Sequence, residues 1–140
     1  MYIMYTPVRW QQRFQNFEKA YFSLNESIEA FNKDSTNLFI RDSIIQRYEY
    51  TIELAWKTLK DYLEEEGFID VSSPKKVIRQ ALKEGYITNP VWLKALDDRN
   101  KTSHAYNETM AQEVTDEIKI QYFYLLRDLY FVLKNEMNDE

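Results

Sequence analysis

The chain has no cysteine, only two glycines and three prolines, and a single histidine in 140 residues. Without cysteine there are no disulfides, no thiolate metal sites and no thiol nucleophile, a composition at ease in a reducing cytoplasm. So few glycines and prolines leave long stretches in which nothing demands a turn, which favours long helices. No run approaches roughly 18 uninterrupted apolar residues, and Met1 to Trp10 lacks an apolar core of signal-peptide length, so the expected location is cytoplasmic with no membrane contact. A net charge of -5 excludes a protein that coats nucleic acid by bulk electrostatics, since phosphate binding needs a concentrated positive field. Any RNA contact has to be local.

What is present is a globular balance, 44% hydrophobic, 29% charged and 16% aromatic, on a length that fits one domain, residues 1–140. Thr6-Pro7, Ser73-Pro74 and Asn89-Pro90 each read as an N-cap followed by proline at the first helical position, while Gly67 and Gly85 stand where helices end on a left-handed residue. The first helix, about Pro7 to Asn32, carries Trp10, Phe14, Phe17, Tyr21, Leu24, Ile28 and Phe31 at alternating spacings of four and three. The second, about Leu38 to Glu66, carries Ile45, Tyr48, Ile52, Ala55, Leu59 and Tyr62, and pairs with the first as an antiparallel hairpin. A short third helix spans Pro74 to Glu84, and a fourth starts at Pro90 and runs toward Arg99.

The last helix, from about Glu108 to Asn135, sets Met110, Val114, Ile118, Tyr122, Leu125, Leu129 and Val132 along one side. Phe123, Tyr124, Tyr130 and Phe131 form a second apolar strip on it. A helix apolar around so much of its girth is often covered by another subunit, and a homodimer is expected. The tail Asn138 to Glu140 is expected to fray. The fold class is therefore all-α: an up-down four-helix bundle with an additional short helix, five helices in all.

The lone histidine, His104, lies in Asp97-Asp98-Arg99-Asn100-Lys101-Thr102-Ser103-His104-Ala105-Tyr106. An imidazole titrating near neutrality suits RNA cleavage, taking the 2′-hydroxyl proton or protonating the 5′-oxygen. Arg99 can hold a scissile phosphate through two parallel hydrogen bonds and stabilise its extra negative charge. On an ideal helix the two would diverge by roughly 140°. The helix must end or distort before His104, or the site must be completed across a dimer. The competing reading is structural: His104 closes the fourth helix, and Arg99 pairs with Asp97, Asp98 or the second helix.

Glu49 and Glu53, one helical turn apart, could bind a divalent cation or hold Arg99 in place. Two carboxylates without a third ligand make a poor metal site, so the second role is preferred and no metal is assigned. Glu53 and Lys57 also form a routine surface pair. Lys75, Lys76, Arg79 and Lys83 make a basic face on the third helix, a guide for RNA or a partner, or simply a solvated surface. No Gly-rich phosphate loop and no Ser/His/Asp order occurs, so no cofactor is expected.

Arg99-x4-His104-x-Tyr106 resembles the signature of HEPN domains in HEPN/MNT toxin–antitoxin modules, in the subfamily also described as nucleotidyltransferase substrate-binding proteins. Gln46 to Lys57, with its Glu49, Glu53, Leu54, Ala55, Trp56 and Lys57, resembles that subfamily's second helix. Ser73 to Arg79 with Gly85, and Trp92 seven residues before Arg99, are similar too, and the likeness covers about residues 9 to 135.

The resemblance implies a symmetric dimer with two Arg99/His104 pairs facing a shared cleft, a metal-independent endoribonuclease in such families. By it Arg99 positions phosphate, His104 transfers protons and Asn100 supports them. Lys101, Glu49 and Glu53 fall in the implied binding set. The Tyr106 hydroxyl is where a cognate minimal nucleotidyltransferase attaches AMP and blocks the cleft; otherwise Tyr106 is an ordinary rim aromatic. A non-catalytic subunit presenting a substrate or nucleotide to that partner, and a plain helical interaction module, are the alternatives.

Overall fold

The computed structural model describes residues 8–102 and 107–138, with the backbone alone at 101 and 102. The helices are α1 (Arg9–Lys33), α2 (Leu38–Glu65), α3 (Pro74–Glu84), α4 (Val91–Thr102), α5 (Glu108–Glu117) and α6 (Phe123–Asn138), the last two joined by a π-helical turn, Ile118–Tyr122. Through that turn α5 and α6 run as one rod, so the bundle has α1, α2, α4 and the α5–α6 rod as its main helices and α3 as the short extra one. There are no strands among the described residues. No helix there is long and apolar enough to cross a membrane.

Local signals set most boundaries. Ser73 Oγ accepts from the Lys76 N–H with Pro74 at the first position of α3, and Asn37 Oδ1 accepts from Phe39 and Ile40 at the start of α2. Asn89 Oδ1 accepts from the Val91 N–H at 3.0 Å, leaving Pro90 in the turn ahead of α4 instead of inside it. Gly67 and Gly85 take left-handed φ of 97° and 83°. The amides that follow close Schellman pairs, Phe68 N–H to Leu63 O and Tyr86 N–H to Ala81 O. The expected Thr6-Pro7 cap lies outside the described residues, and α1 begins at Arg9 behind Val8, whose side chain makes no cap.

Helix α2 lies at the centre and packs on every other helix. Antiparallel pairing with α1 is tied by Arg13 Nε to Asp61 Oδ2 at 2.7 Å, Thr51 Oγ1 to Ala20 O at 3.2 Å and Arg47 Nη1 to Ser23 O at 2.7 Å. All seven residues of the expected α1 stripe and all six of the α2 stripe are buried.

The last helix departs from expectation. It runs to Asn138, and its buried positions are Ala111, Val114, Ile118 and Tyr122, then Leu125, Leu126, Leu129, Tyr130 and Leu133. Val132 is only partly buried. The π turn is the cause: its surplus residue rotates everything after it, so the inward face slips to later positions. Phe123 and Tyr130, expected on an exposed strip, are therefore buried against α1. Tyr130 stacks on Phe14 and Tyr21 with ring centroids 5.6 and 4.8 Å apart, and Phe123 stacks on Tyr21 at 5.4 Å. Of that strip only Tyr124 and Phe131 stay exposed, at 44% and 54%.

Candidate functional site

Arg99 stands in the final turn of α4, which closes at Thr102, two residues before His104. The helical geometry that would carry the two side chains apart stops short of the histidine. Arg99 has one third of its side chain exposed, and its Nη2 lies 3.6 Å from Glu53 Oε2 on α2. A longer contact runs from Arg99 Nη1 to Asn100 Oδ1 at 3.5 Å. Of the structural options for Arg99, the second helix is the one it meets.

Glu53 is held from several sides. Trp56 Nε1 donates to Oε2 at 3.1 Å, and Lys57 Nζ sits 3.1 Å from Oε1 as an i,i+4 pair. Burial pushes its carboxyl pKa up, but the Trp56 hydrogen bond, Lys57 and Arg99 together bring it below the usual value. The residue therefore stays ionised beside the guanidinium. Glu49 lies one turn earlier on α2, partly buried.

Beneath α4 lies a polar cluster that sequence reasoning did not assemble. The Tyr122 hydroxyl donates to the Asp98 carboxylate, and Lys94 Nζ reaches both the Tyr122 oxygen at 2.9 Å and Asp98 Oδ2 at 3.3 Å. Tyr122 stacks on Tyr48 at 5.7 Å, whose own hydroxyl donates to the Ala95 carbonyl at 2.9 Å. Burial, then Asp98, pushes the Tyr122 phenol up to about 12. Burial, Tyr122 and Asp98 push Tyr48 well up, with the Arg99 guanidinium pulling the other way. The only sequence signal was that a buried tyrosine hydroxyl needs a partner.

A second unforeseen element is Arg41. Its side chain is buried at the start of α2, and its guanidinium forks onto Glu108, with Nη2 to Oε2 at 3.1 Å and Nη1 bonded to Oε1. Asp42 Oδ1 lies 3.0 Å from Nη2. The pair ties α2 to the first turn of α5, where Asn107 Oδ1 caps the Met110 N–H at 2.9 Å. Each charge reinforces the other: Glu108 raises the Arg41 pKa and Arg41 lowers that of Glu108.

Of the sequence candidates, Arg99, Asn100 and Glu53 are brought together. His104, Tyr106 and the Lys101 side chain lie outside the described residues. On the basic face of α3, Lys75 pairs with Asp97 at 3.1 Å and Lys76 with Asp70 at 3.0 Å, so half of its charge is already matched. A groove of about 510 Å³ at the α2–α3 loop, bordered by Lys60, Glu64, Phe68 and Asp70, holds none of the candidates.

The family model described as nucleotidyltransferase substrate binding protein like matches residues 12–135. The chain belongs to this HEPN-type family. A relative of this nucleotidyltransferase substrate-binding family chain, a probable ribonuclease HepT from Haemophilus influenzae, is 27% identical, with 80% of this chain and 88% of that one covered. A protein from Thermus thermophilus, known from its crystal structure, is 38% identical with a TM-score of 0.72, covering 85% of this chain and 97% of that one.

Proposed function

We propose that the chain is a metal-independent endoribonuclease of the HEPN toxin type, with Arg99 and His104 as its catalytic residues and Asn100 in support. The observation that carries this reading is the end of α4 at Thr102: Arg99 is fixed in the last turn, and the chain leaves the helix before His104. The similarity to a protein named as a probable ribonuclease supports it.

In the reaction, a neutral imidazole takes the proton of a 2′-hydroxyl as its oxygen bonds to phosphorus. The bond from phosphorus to the 5′-oxygen breaks, and that oxygen receives a proton from a protonated imidazole. Arg99 holds the phosphate oxygens on which charge builds. One His104 from each protomer of a homodimer supplies the two protonation states, which is why the active form is a dimer. Lys101 adds positive charge beside the phosphate, and Glu49 and Glu53 hold Arg99 in place.

The Tyr106 hydroxyl is the site at which a minimal nucleotidyltransferase partner adds AMP, silencing the cleft by bulk and negative charge. The test is expression of the wild type and His104→Ala with RNA integrity followed, then mass analysis of the chain produced with its partner. The wild type should degrade RNA and arrest growth, the variant should do neither, and Tyr106 should gain adenylate mass. Equal RNA survival in both strains defeats the reading.

A second reading has its own support in the family description: a non-catalytic subunit that presents substrate or nucleotide to the nucleotidyltransferase. Calorimetry with nucleotides and co-purification with that partner separate the two, because this reading needs binding without cleavage.

A further inference from the structure

Only three residues of α4 follow Arg99, and a helix end of that length frays unless something outside the helix holds it. Asp98 supplies the hold. Its side chain is 14% exposed and accepts from the Tyr122 hydroxyl, while Lys94, one turn earlier, donates to the Tyr122 oxygen. The tyrosine thus uses its one proton on Asp98 and a lone pair on Lys94, which satisfies a buried hydroxyl.

The same turn is gripped a second time. Tyr48, stacked on Tyr122, donates to the carbonyl of Ala95, the carbonyl that the α-helical pattern also gives to the Arg99 N–H. Tyr122 itself is the last residue of the π turn, a departure from regular helix that is often found at functional sites.

We propose that Asp98 and Tyr122 are positioning residues for Arg99. With Asp98 fixed on Tyr122, the next residue leaves the helix about 100° around the axis, and that direction carries the guanidinium to Glu53. Without the hydroxyl the last turn of α4 is free to unwind, and Arg99 loses its aim at a bound phosphate. The proposal rests on the phosphate-binding role of Arg99, but one of its readouts does not.

That readout is the Trp56 indole N–H, which donates to the same Glu53 that meets Arg99. Tyr122→Phe keeps the ring and its stack on Tyr48 and removes only the hydroxyl. In proton–nitrogen spectra, Tyr122→Phe and Asp98→Ala should move the Trp56 indole resonance in the direction in which Arg99→Ala moves it, and Asp98→Asn, which keeps an acceptor, should move it less. Trp10, packed between Phe14 and Tyr62, should stay in place, which separates lost aim from general loosening.

In RNA cleavage, Tyr122→Phe should lower kcat by about ten- to a hundredfold and leave KM near its wild-type value. A Trp56 resonance unmoved by Tyr122→Phe but moved by Arg99→Ala overturns the positioning role, as does a wild-type kcat in a stably folded Tyr122→Phe. Wild-type cleavage by Arg99→Ala overturns the ribonuclease reading instead, and the Trp56 resonance still decides the positioning.

Discussion

Glu53 on α2 and Arg99 on α4 form an ion pair across the bundle, Oε2 to Nη2 at 3.6 Å, and the carboxylate is shared with the Trp56 indole and the Lys57 ammonium. One acidic side chain thereby sets the position of the cation proposed to meet phosphate.

Its pH dependence follows from the direction of the shift. Glu53 lies below its ordinary value of 4.5 in the folded state, so the unfolded chain takes up this proton first as the medium is acidified. The stability it contributes is complete above about pH 4.5 and is lost as pH falls through the lower folded value. Glu53→Gln should be less stable than the wild type at neutral pH, with the two curves converging toward about pH 3. Denaturant titrations across that range decide it, and a constant gap would contradict the assignment.

Tyr130 carries both a stack and a hydrogen bond. Its hydroxyl donates to Glu18 Oε2 at 2.7 Å, a carboxylate that Lys134 also reaches at 3.2 Å, and burial, then Glu18, pushes the phenol up to about 12. Tyr130→Phe should cost about 1 kcal/mol, the net value of such a bond. Tyr130→Ala, which also removes the ring from Phe14 and Tyr21, should cost about 3–5 kcal/mol. Equal losses in the two variants, measured by equilibrium unfolding, would show that the ring contributes nothing.

Gly85 closes α3 at φ 83°, and nothing lies within 4 Å of where a Cβ would stand. Gly85→Ala should therefore cost only the backbone strain of a left-handed residue, about 1 kcal/mol. Thermal unfolding measures it, and RNA cleavage should be unchanged because the site on α4 is untouched.

The sequence was readable where chemistry is local. Ser73-Pro74, Gly67 and Gly85 announce helix ends through groups that sit within a few residues of one another, and the aromatic stripes of α1 and α2 need only a constant period. The last helix was misread beyond Tyr122 because nothing from Ile118 to Tyr122 breaks a helix. A surplus residue in the ladder leaves no mark in composition, so Leu126, Tyr130 and Leu133 took the inward places and Val132 gave one up. Arg41 was invisible for another reason: a buried arginine is intelligible only with Glu108, far along the chain. At the site, Arg99 and Glu53 were visible as residue types, while the cluster of Asp98, Lys94, Tyr122 and Tyr48 exists only once three helices meet.

The π turn also makes the rod sensitive to length in a way its outer surface does not disclose. Removing any one residue between Ile118 and Tyr122 would let the ladder run on as ordinary α-helix and turn the whole of α6 by about 100°. Phe123 and Tyr130 would swing away from α1, and Tyr124 and Phe131 would change their neighbours. The two ends of this bundle are keyed to each other by a single extra amino acid, like two gears meshed one tooth apart.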